Sequence, residues 1–449
     1  MAYPFTVYEI IGSTDETNLI KSNVKKEGEN LVLSPFVCEP KLEYGFHYFI
    51  HQTKNKTSIK SQERYRNKWQ VTNSFEHTVT DYDKDIQKMS ELYFSLPVNG
   101  IISRAFYKLW EVLIAFDIIP EIGSIKTAHI AEAPGGFIQA VGLYRDKFFK
   151  ASDVAKDNYS TISIISKDTK NVPIFKTTVL KNMKQLSICK AGNCDIMNID
   201  VQNQYVKDTG LVDLVTADGG FVWQDENYQE QEAFKLLMAE IILAMKLQKQ
   251  SGCFVLKIFD IFTDVMVKIL ALLRAYYKQV YVFIPLMSRP SNSEKYVICQ
   301  GFQGITPKEI NNLEKILVKM PENPINADTQ IKDKNFKRSN FTIDIFPDYN
   351  LSPNIKIINK TMGVYIANEQ FKNINKTIAY LEKGIFFGDD YHRFREEQIK
   401  ASEYWISSFY PINQSDFKVI KKKMKKILED SLLESTKKVD ELKHRLKHF

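Results

Sequence analysis

Thr127-Ala-His-Ile-Ala-Glu-Ala-Pro-Gly-Gly-Phe137 decides the fold of this chain. Its first half, Thr127 to Glu132, is short and apolar, the texture of a strand buried on both faces. Its second half, Ala131 to Phe137, sets Gly135 and Gly136 where a chain leaving a strand turns into a helix. Without Cβ atoms the backbone can bend sharply there and a ligand can approach it closely. Runs of the same texture recur at Ser160 to Ile165, Leu211 to Ala217, Gly252 to Ile258 and Gln279 to Ile284. Helical patterns lie between them. Phe106, Leu109, Trp110, Leu113 and Phe116 share one helix face behind Ser103, a residue suited to cap it. Gln229 to Gln250 sets Phe234, Leu237, Met238, Ile241 and Met245 at helical spacing, and Thr263 suits the cap of a helix running to Tyr277. Strands alternating with helices predict an open α/β sheet. Ligands in such sheets bind beyond the carboxyl ends of the strands, where the strand order reverses.

Outward from this core the texture changes. Residues 1–99 are polar and aromatic and read as an N-terminal extension. Residues 100–305 form the alternating region, and residues 306–449 read as a mostly helical C-terminal extension. The length of 449 residues allows about two or three domains. A composition of 44% hydrophobic and 26% charged residues excludes wholesale disorder and fibrous repeats. Lys and Arg exceed Asp and Glu by 61 − 54 = 7, a mild excess that favours a polyanionic partner without establishing one. The five cysteines form no C-x-x-C pair, so a reducing, intracellular compartment is expected rather than a disulfide framework or a thiolate metal site. The longest apolar stretch, Cys253 to Leu273, is broken by Lys257, Asp260, Asp264 and Lys268, so no membrane span is expected.

Four features carry chemistry. In Ala131 to Phe137 the G-x-G-x-x-G spacing of a dinucleotide site is absent. An acidic residue, Glu132, in a strand-to-helix turn suits a cationic or neutral nucleoside better than a diphosphate; a purely structural Pro-Gly-Gly turn is the alternative. Asp218-Gly-Gly220 follows the strand ending at Ala217, a place for a site rather than a core. Lys257 ends a very apolar strand, either reaching solvent or held in a partly desolvated cleft. Ser288-Arg-Pro-Ser-Asn-Ser-Glu294 packs polar residues densely ahead of a strand from Lys295 to Cys299.

Taken in order, Ser103-Arg-Ala-Phe-Tyr-Lys108, Glu132-Ala-Pro-Gly-Gly-Phe137, Ala217-Asp-Gly-Gly-Phe221, Leu256-Lys-Ile-Phe-Asp-Ile-Phe-Thr263 and Ser288-Arg-Pro-Ser-Asn-Ser-Glu-Lys-Tyr-Val297 resemble the FtsJ-like RNA 2′-O-methyltransferases. The likeness is greatest to those acting on the first transcribed nucleotides of capped mRNA. It covers a little under half the chain. It implies a Rossmann-like S-adenosylmethionine-dependent methyltransferase sheet with helices on both faces. It also implies a catalytic tetrad at Lys108, Asp218, Lys257 and Glu294. The cofactor loop would be Ala131, Glu132, Ala133, Pro134, Gly135, Gly136 and Phe137, with Asp195 and Ile196 at the adenine. No acid directly ends the run Ser160 to Ile165 to hold the cofactor ribose, and Asp168 is the candidate substitute. RNA contacts fall on Asn227, Tyr228, Gln229 and Asn292; Asn227 could equally cap the helix that follows. Capped RNA is the implied partner, in the cytoplasm (or a viral factory, were the source viral) or the nucleus. A ribosomal or transfer RNA 2′-O-methyltransferase and a non-catalytic RNA-binding scaffold remain alternatives on the same fold.

As a general base, Lys257 would need to titrate near 7–8, about 3–4 kcal/mol below a free lysine in affinity for its proton. Desolvation, Lys108 and a nearby sulfonium push that way, while Asp218 and Glu294 push back. A charged Lys257 that steers the hydroxyl is the other possibility. The tail from Asp416, with Lys421 to Lys426 among Ile420, Met424, Ile427, Leu432 and Leu433, reads as an amphipathic helix packed on the main domain, with phosphate binding by its lysines as the alternative. His47 and His51, four residues apart, lack a third ligand for a metal site.

Overall fold

The computed structural model describes residues 3–28, 30–39, 44–65, 67–76, 85–97, 100–166, 172–180, 183, 185–220, 223, 227–321 and 341–446. Its strands are β1 (Thr6–Glu9), β2 (Leu31–Ser34), β3 (Lys126–Ile130), β4 (Asn158–Ile162), β5 (Leu186–Ile188), β6 (Val212–Ala217), β7 (Gln248–Ile258), β8 (Tyr277–Ile284), β9 (Lys295–Phe302) and β10 (Phe341–Ile345). Eight of them form one sheet in the order β1-β8-β9-β7-β6-β3-β4-β5, and β2 pairs with β10 apart from it. Strands β3 to β7 run parallel to their neighbours among themselves, while β9 is antiparallel to β7 and β8, and β1 to β8. The open α/β sheet expected from the sequence is present. Its order reverses beside β3: β4 and β5 extend one way, β6 and β7 the other. The switch point, where open α/β sheets bind ligands, therefore lies beyond Ile130 and Ala217. Because β9 runs backwards, its first residue, Lys295, pairs with the last of β7, Ile258. The loop before β9 thus reaches the same edge as the turns after β3 and β6.

Alternating side chains feed two cores. On β6 to β9, Val215, Ala217, Phe254, Leu256, Val280, Val282, Val297 and Cys299 join the core beneath the helices Phe234–Leu247 and Asp264–Tyr276. Leu214, Val255, Tyr281, Phe283, Tyr296 and Ile298 join the core beneath Ala105–Phe116 and Gly136–Phe148. Period-two alternation with both faces apolar is what makes these strands read as continuous hydrophobic runs.

Several boundaries differ from the sequence reading. The helix expected over Gln229 to Gln250 is two helices, Gln229–Glu232 and Phe234–Leu247, and Gln248 already pairs with Val212 of β6. Ser103 does not cap the helix after it. That helix starts at Ala105 with Arg104 at its N-cap and no side-chain cap hydrogen bond. Thr263 does cap, accepting from the Met266 amide. The tail is one helix, Gln414–Leu446, and Phe417, Ile420, Met424 and Leu428 enter the second core. Leu433 faces solvent, 56% exposed, because it lies about 100° around the helix from the partly buried Leu432. From the other terminus, β1 adds an edge strand to the central sheet, tied down by Ser435 Oγ donating to the Val7 carbonyl at 2.7 Å. Among the described residues no helix is long and apolar enough to cross a membrane.

Candidate active site

Lys108, Asp218, Lys257 and Glu294 come from four elements and meet at one edge. Lys108 lies on the helix Ala105–Phe116, Asp218 directly after β6, Lys257 one residue from the end of β7, and Glu294 just before β9. Lys108 Nζ pairs with Glu294 Oε1 at 2.5 Å, and Lys257 Nζ with Asp218 Oδ1 at 3.1 Å. Lys257 also donates to the Asp218 carbonyl at 2.8 Å. The two pairs are joined by Tyr296, whose hydroxyl stands 2.7 Å from Glu294 Oε1 and 3.3 Å from Asp218 Oδ1 and donates to one of them at a time. The sequence reading missed Tyr296. The signal was there: Tyr296 lies two residues beyond Glu294 at the start of a strand, where alternate side chains share a face.

Electrostatics follow from this crowding. Burial works against the charge on Lys257, but Asp218, Glu294 and Glu240 together hold its ammonium above the usual lysine range. Glu294 is opposed by burial yet pulled down to about 2 by Lys108 and Lys257. The lowered titration that a general base at Lys257 requires is therefore not what this arrangement produces; it favours the charged, steering form. Burial, then Asp218, pushes Glu132 well above the usual carboxyl range, and burial pushes Glu240 up to about 8. Glu240, on the helix Phe234–Leu247, accepts from the Gly219 amide at 3.1 Å and was also missed by the sequence reading.

The glycine turn is built against these groups. Glu132 Oε1 accepts from the Phe137 and Ile138 amides at 2.6 and 3.2 Å, anchoring the start of the helix Gly136–Phe148. Ala131 and Gly135 both have positive φ, 52° and 113°. A Cβ at Gly136 would stand 2.4 Å from Ser103 Oγ, so glycine lets the turn touch the segment that leads to Lys108. Ala133 and Pro134 complete the turn; the Pro134 carbonyl accepts from the Lys176 amide at 3.1 Å. Phe137 is fully buried, its ring 5.9 Å from that of Tyr296.

The remaining candidates divide. Asp195 Oδ1 accepts from the Met197 amide at 2.9 Å, and Ile196 is buried in the same core as Ile130 at the end of β3. Asn227 does not cap the helix after it, whose N-cap is Tyr228; its Nδ2 donates to Asn55 Oδ1 at 2.8 Å. Tyr228 sets its ring 5.7 Å from that of His51, and Gln229 accepts from Ser293 Oγ in the loop before Glu294. Asn292 is exposed and lines a cavity of about 890 Å³ between that loop, β1 and the helices Pro353–Lys383 and Gln414–Leu446. Trp223 packs edge-on against Phe259 at 4.5 Å. Asp168 and Phe221 lie outside the described residues, as does the side chain of His47.

A further buried cluster, unforeseen from the sequence, braces the edge. Asp260 is held by Lys54 at 2.8 Å and Lys295 at 3.4 Å, and the two lysines pull its carboxyl down to about 2 against its burial. Lys295 also donates to the Ser293 carbonyl at 2.6 Å and the Phe259 carbonyl at 3.1 Å, locking the backbone beside Glu294 to that beside Lys257. Lys54 and Asn55 end the helix Tyr44–Asn55, so the N-terminal region reaches this edge of the sheet.

Comparisons with known proteins find similar chains. Residues 101–302 match the family model described as FtsJ-like methyltransferase. The chain is 28% identical to cap-specific mRNA (nucleoside-2′-O-)-methyltransferase 2 of Drosophila melanogaster, over 49% of this chain and 33% of that protein. It is 27% identical to cap-specific mRNA (nucleoside-2′-O-)-methyltransferase 1 of Caenorhabditis elegans, over 62% of this chain and 29% of that protein. It is 30% identical to cap-specific mRNA (nucleoside-2′-O-)-methyltransferase 1 of Trypanosoma cruzi (strain CL Brener), over 45% of this chain and 57% of that protein. The match spans about a third of the length of the first two relatives.

Proposed function

We propose that this chain, which carries an FtsJ-like methyltransferase domain over residues 101–302, methylates the ribose 2′-hydroxyl of a cap-proximal nucleotide of mRNA with S-adenosylmethionine as donor. The observation that carries the reading is the pair of ion pairs, Lys108–Glu294 and Lys257–Asp218, tied together through Tyr296 beside the glycine turn. The names of the relatives point to the cap-proximal ribose.

The residues present fit the donor. Glu132 Oε2 is buried without a hydrogen-bond partner, and the carboxyls around Lys257 suit a cationic ligand. A Cβ at Gly220 would stand 3.6 Å from Lys257 Nζ, so glycine leaves that ammonium uncovered. Ala131 to Phe137 would hold the donor, with Asp195 and Ile196 at its adenine. When bound, it supplies a methyl group already activated by a sulfonium.

The chain's own work is alignment and charge. Lys257, kept protonated by its acidic neighbours, orients the 2′-hydroxyl and stabilises the oxyanion that develops on it. Asp218 and Glu294 are acceptors at the same edge, and Lys108 fixes Glu294. Asn227, Tyr228, Gln229 and Asn292 would seat the RNA strand. Alignment of reacting groups is worth up to about 7–11 kcal/mol in favourable cases, more than the ~10²–10⁴-fold that proton transfer contributes. The test is to incubate capped and uncapped short RNAs with labelled donor. Label on the ribose of the capped RNA, lost in Lys257→Ala, supports the reading; equal labelling of uncapped RNA, or full activity in Lys257→Ala, overturns it.

A further inference from the structure

Glu132, in the turn that would hold the donor, and Glu240, one of the acids around Lys257, are both buried at the proposed reacting edge, 3% and 0% exposed. Each spends one oxygen on backbone amides: Glu132 Oε1 on Phe137 and Ile138, Glu240 Oε1 on Gly219. In each, Oε2 is buried without a hydrogen-bond partner. A buried anion with an unpartnered oxygen is costly, and a carboxyl so placed keeps its proton instead. Glycine at 219 is part of this packing, since a Cβ there would stand 2.2 Å from Glu240 Oε1.

The surrounding charges do not offset the two acids. Asp218, after β6, and Lys257, on β7, act on both. Lys257 is already paired with Asp218, and Lys108, on the helix packed against Gly136–Phe148, is paired with Glu294. Behind Glu240, the helix Ile199–Thr209 offers the Gln202 amide, which donates to the Ile196 and Ala239 carbonyls. The helix Pro307–Lys319 offers Glu314, which is paired with Lys246. Within the tetrad Lys108 and Lys257 balance Asp218 and Glu294, while Arg104, which also acts on Glu294, is paired with Glu76, so neither Glu132 nor Glu240 has a cation of its own among these groups. Surplus acid held neutral by protons matches a ligand that brings positive charge.

We propose that Glu132 and Glu240 distinguish the cationic methyl donor from its neutral thioether product by releasing protons to solvent when the sulfonium enters and regaining them once the methyl has left. This rests on the reading of the edge as an S-adenosylmethionine site. The titration of Glu240 at about 8 and the upward displacement of Glu132 agree with it, because a nearby cation lowers both. By linkage, affinity for the donor rises with pH by up to about tenfold per unit for each proton released, and affinity for the product does not.

Titration calorimetry on the full chain at pH 7, in buffers of differing ionisation enthalpy, tests the inference. Binding of S-adenosylmethionine is expected to release on the order of one proton, and S-adenosylhomocysteine clearly less. In Glu132→Gln/Glu240→Gln, whose amides mimic the protonated acids, the difference should vanish and the donor-to-product affinity ratio should become flat between pH 6 and 8. Equal proton release for donor and product by the unaltered chain would overturn the inference without any variant. So would an unchanged difference in the double variant or, should that not fold, in Glu240→Gln and Glu132→Gln alike. A wild-type chain that binds no S-adenosylmethionine would instead overturn the underlying reading, and this inference with it.

Discussion

In the proposed reaction the chemistry turns on Lys257, whose neighbours set its charge. With Asp218, Glu294 and Glu240 raising it above the ordinary lysine range, the ammonium persists through neutral and moderately alkaline pH. The rate of methyl transfer at saturating donor should therefore be flat from about pH 7 to 9, with no inflection from a lysine titrating near 7–8. Lys257→Ala should lose about 10²–10³-fold at every pH in that range, as for loss of a donor to a developing oxyanion. A pH–rate series on both proteins checks this, and a log-linear rise that disappears with the lysine would return the general-base role. Glu294 makes the complementary case for stability. Its folded titration at about 2 lies below its ordinary value of 4.5. Its contribution is thus present above about 4.5 and lost as pH falls toward 2. The stability gap between the wild-type chain and Glu294→Gln, read by denaturant melts, should shrink across that window.

At the scale of elements, the turn between β3 and its helix is where backbone geometry and chemistry are least separable. Gly136→Ala should push Ser103 or the turn itself aside, costing about 1–3 kcal/mol of stability and weakening donor binding. Ser103→Gly in the same chain should recover part of both, as thermal melts and calorimetry would show. The turn was legible in the sequence because its features are local: an apolar run, an acid and two adjacent glycines. So was the face periodicity of β6 to β9. Boundaries were less legible. Gln248 looks helical, but its backbone is taken by β6. Three-residue β5 is too short to show a period. Ser103 has the chemistry of a cap yet spends its position on contact with Gly136. The tetrad emerged through resemblance to known motifs, whereas Tyr296, Glu240 and the Lys54–Asp260–Lys295 cluster required the folded arrangement.

Over the whole molecule, the terminal regions close on the sheet. Trp405, fully buried on the helix Asp389–Phe409, donates to Glu111 Oε1 at 2.8 Å. Glu111 also accepts from the Leu286 and Met287 amides at 2.7 and 2.9 Å, at the start of the loop that carries Asn292 and Glu294. Contacts across 294 and 175 residues of chain leave no mark in local pattern, so texture alone did not foretell that the C-terminal helices would support the loop before β9. Met424 is fully buried in the core shared with the helix of Lys108. Met424→Ala should cost about 2–5 kcal/mol, measurable in urea, and a value near zero would mean that the terminal helix is loosely attached. The most direct measurement is positional mapping, by mass spectrometry, of methyl groups placed on a capped transcript by the wild-type chain and by Lys257→Ala. A single 2′-O-methyl on a cap-proximal ribose, absent with the variant and on uncapped RNA, is the predicted result; methylation of a base, or of riboses without regard to the cap, would contradict it.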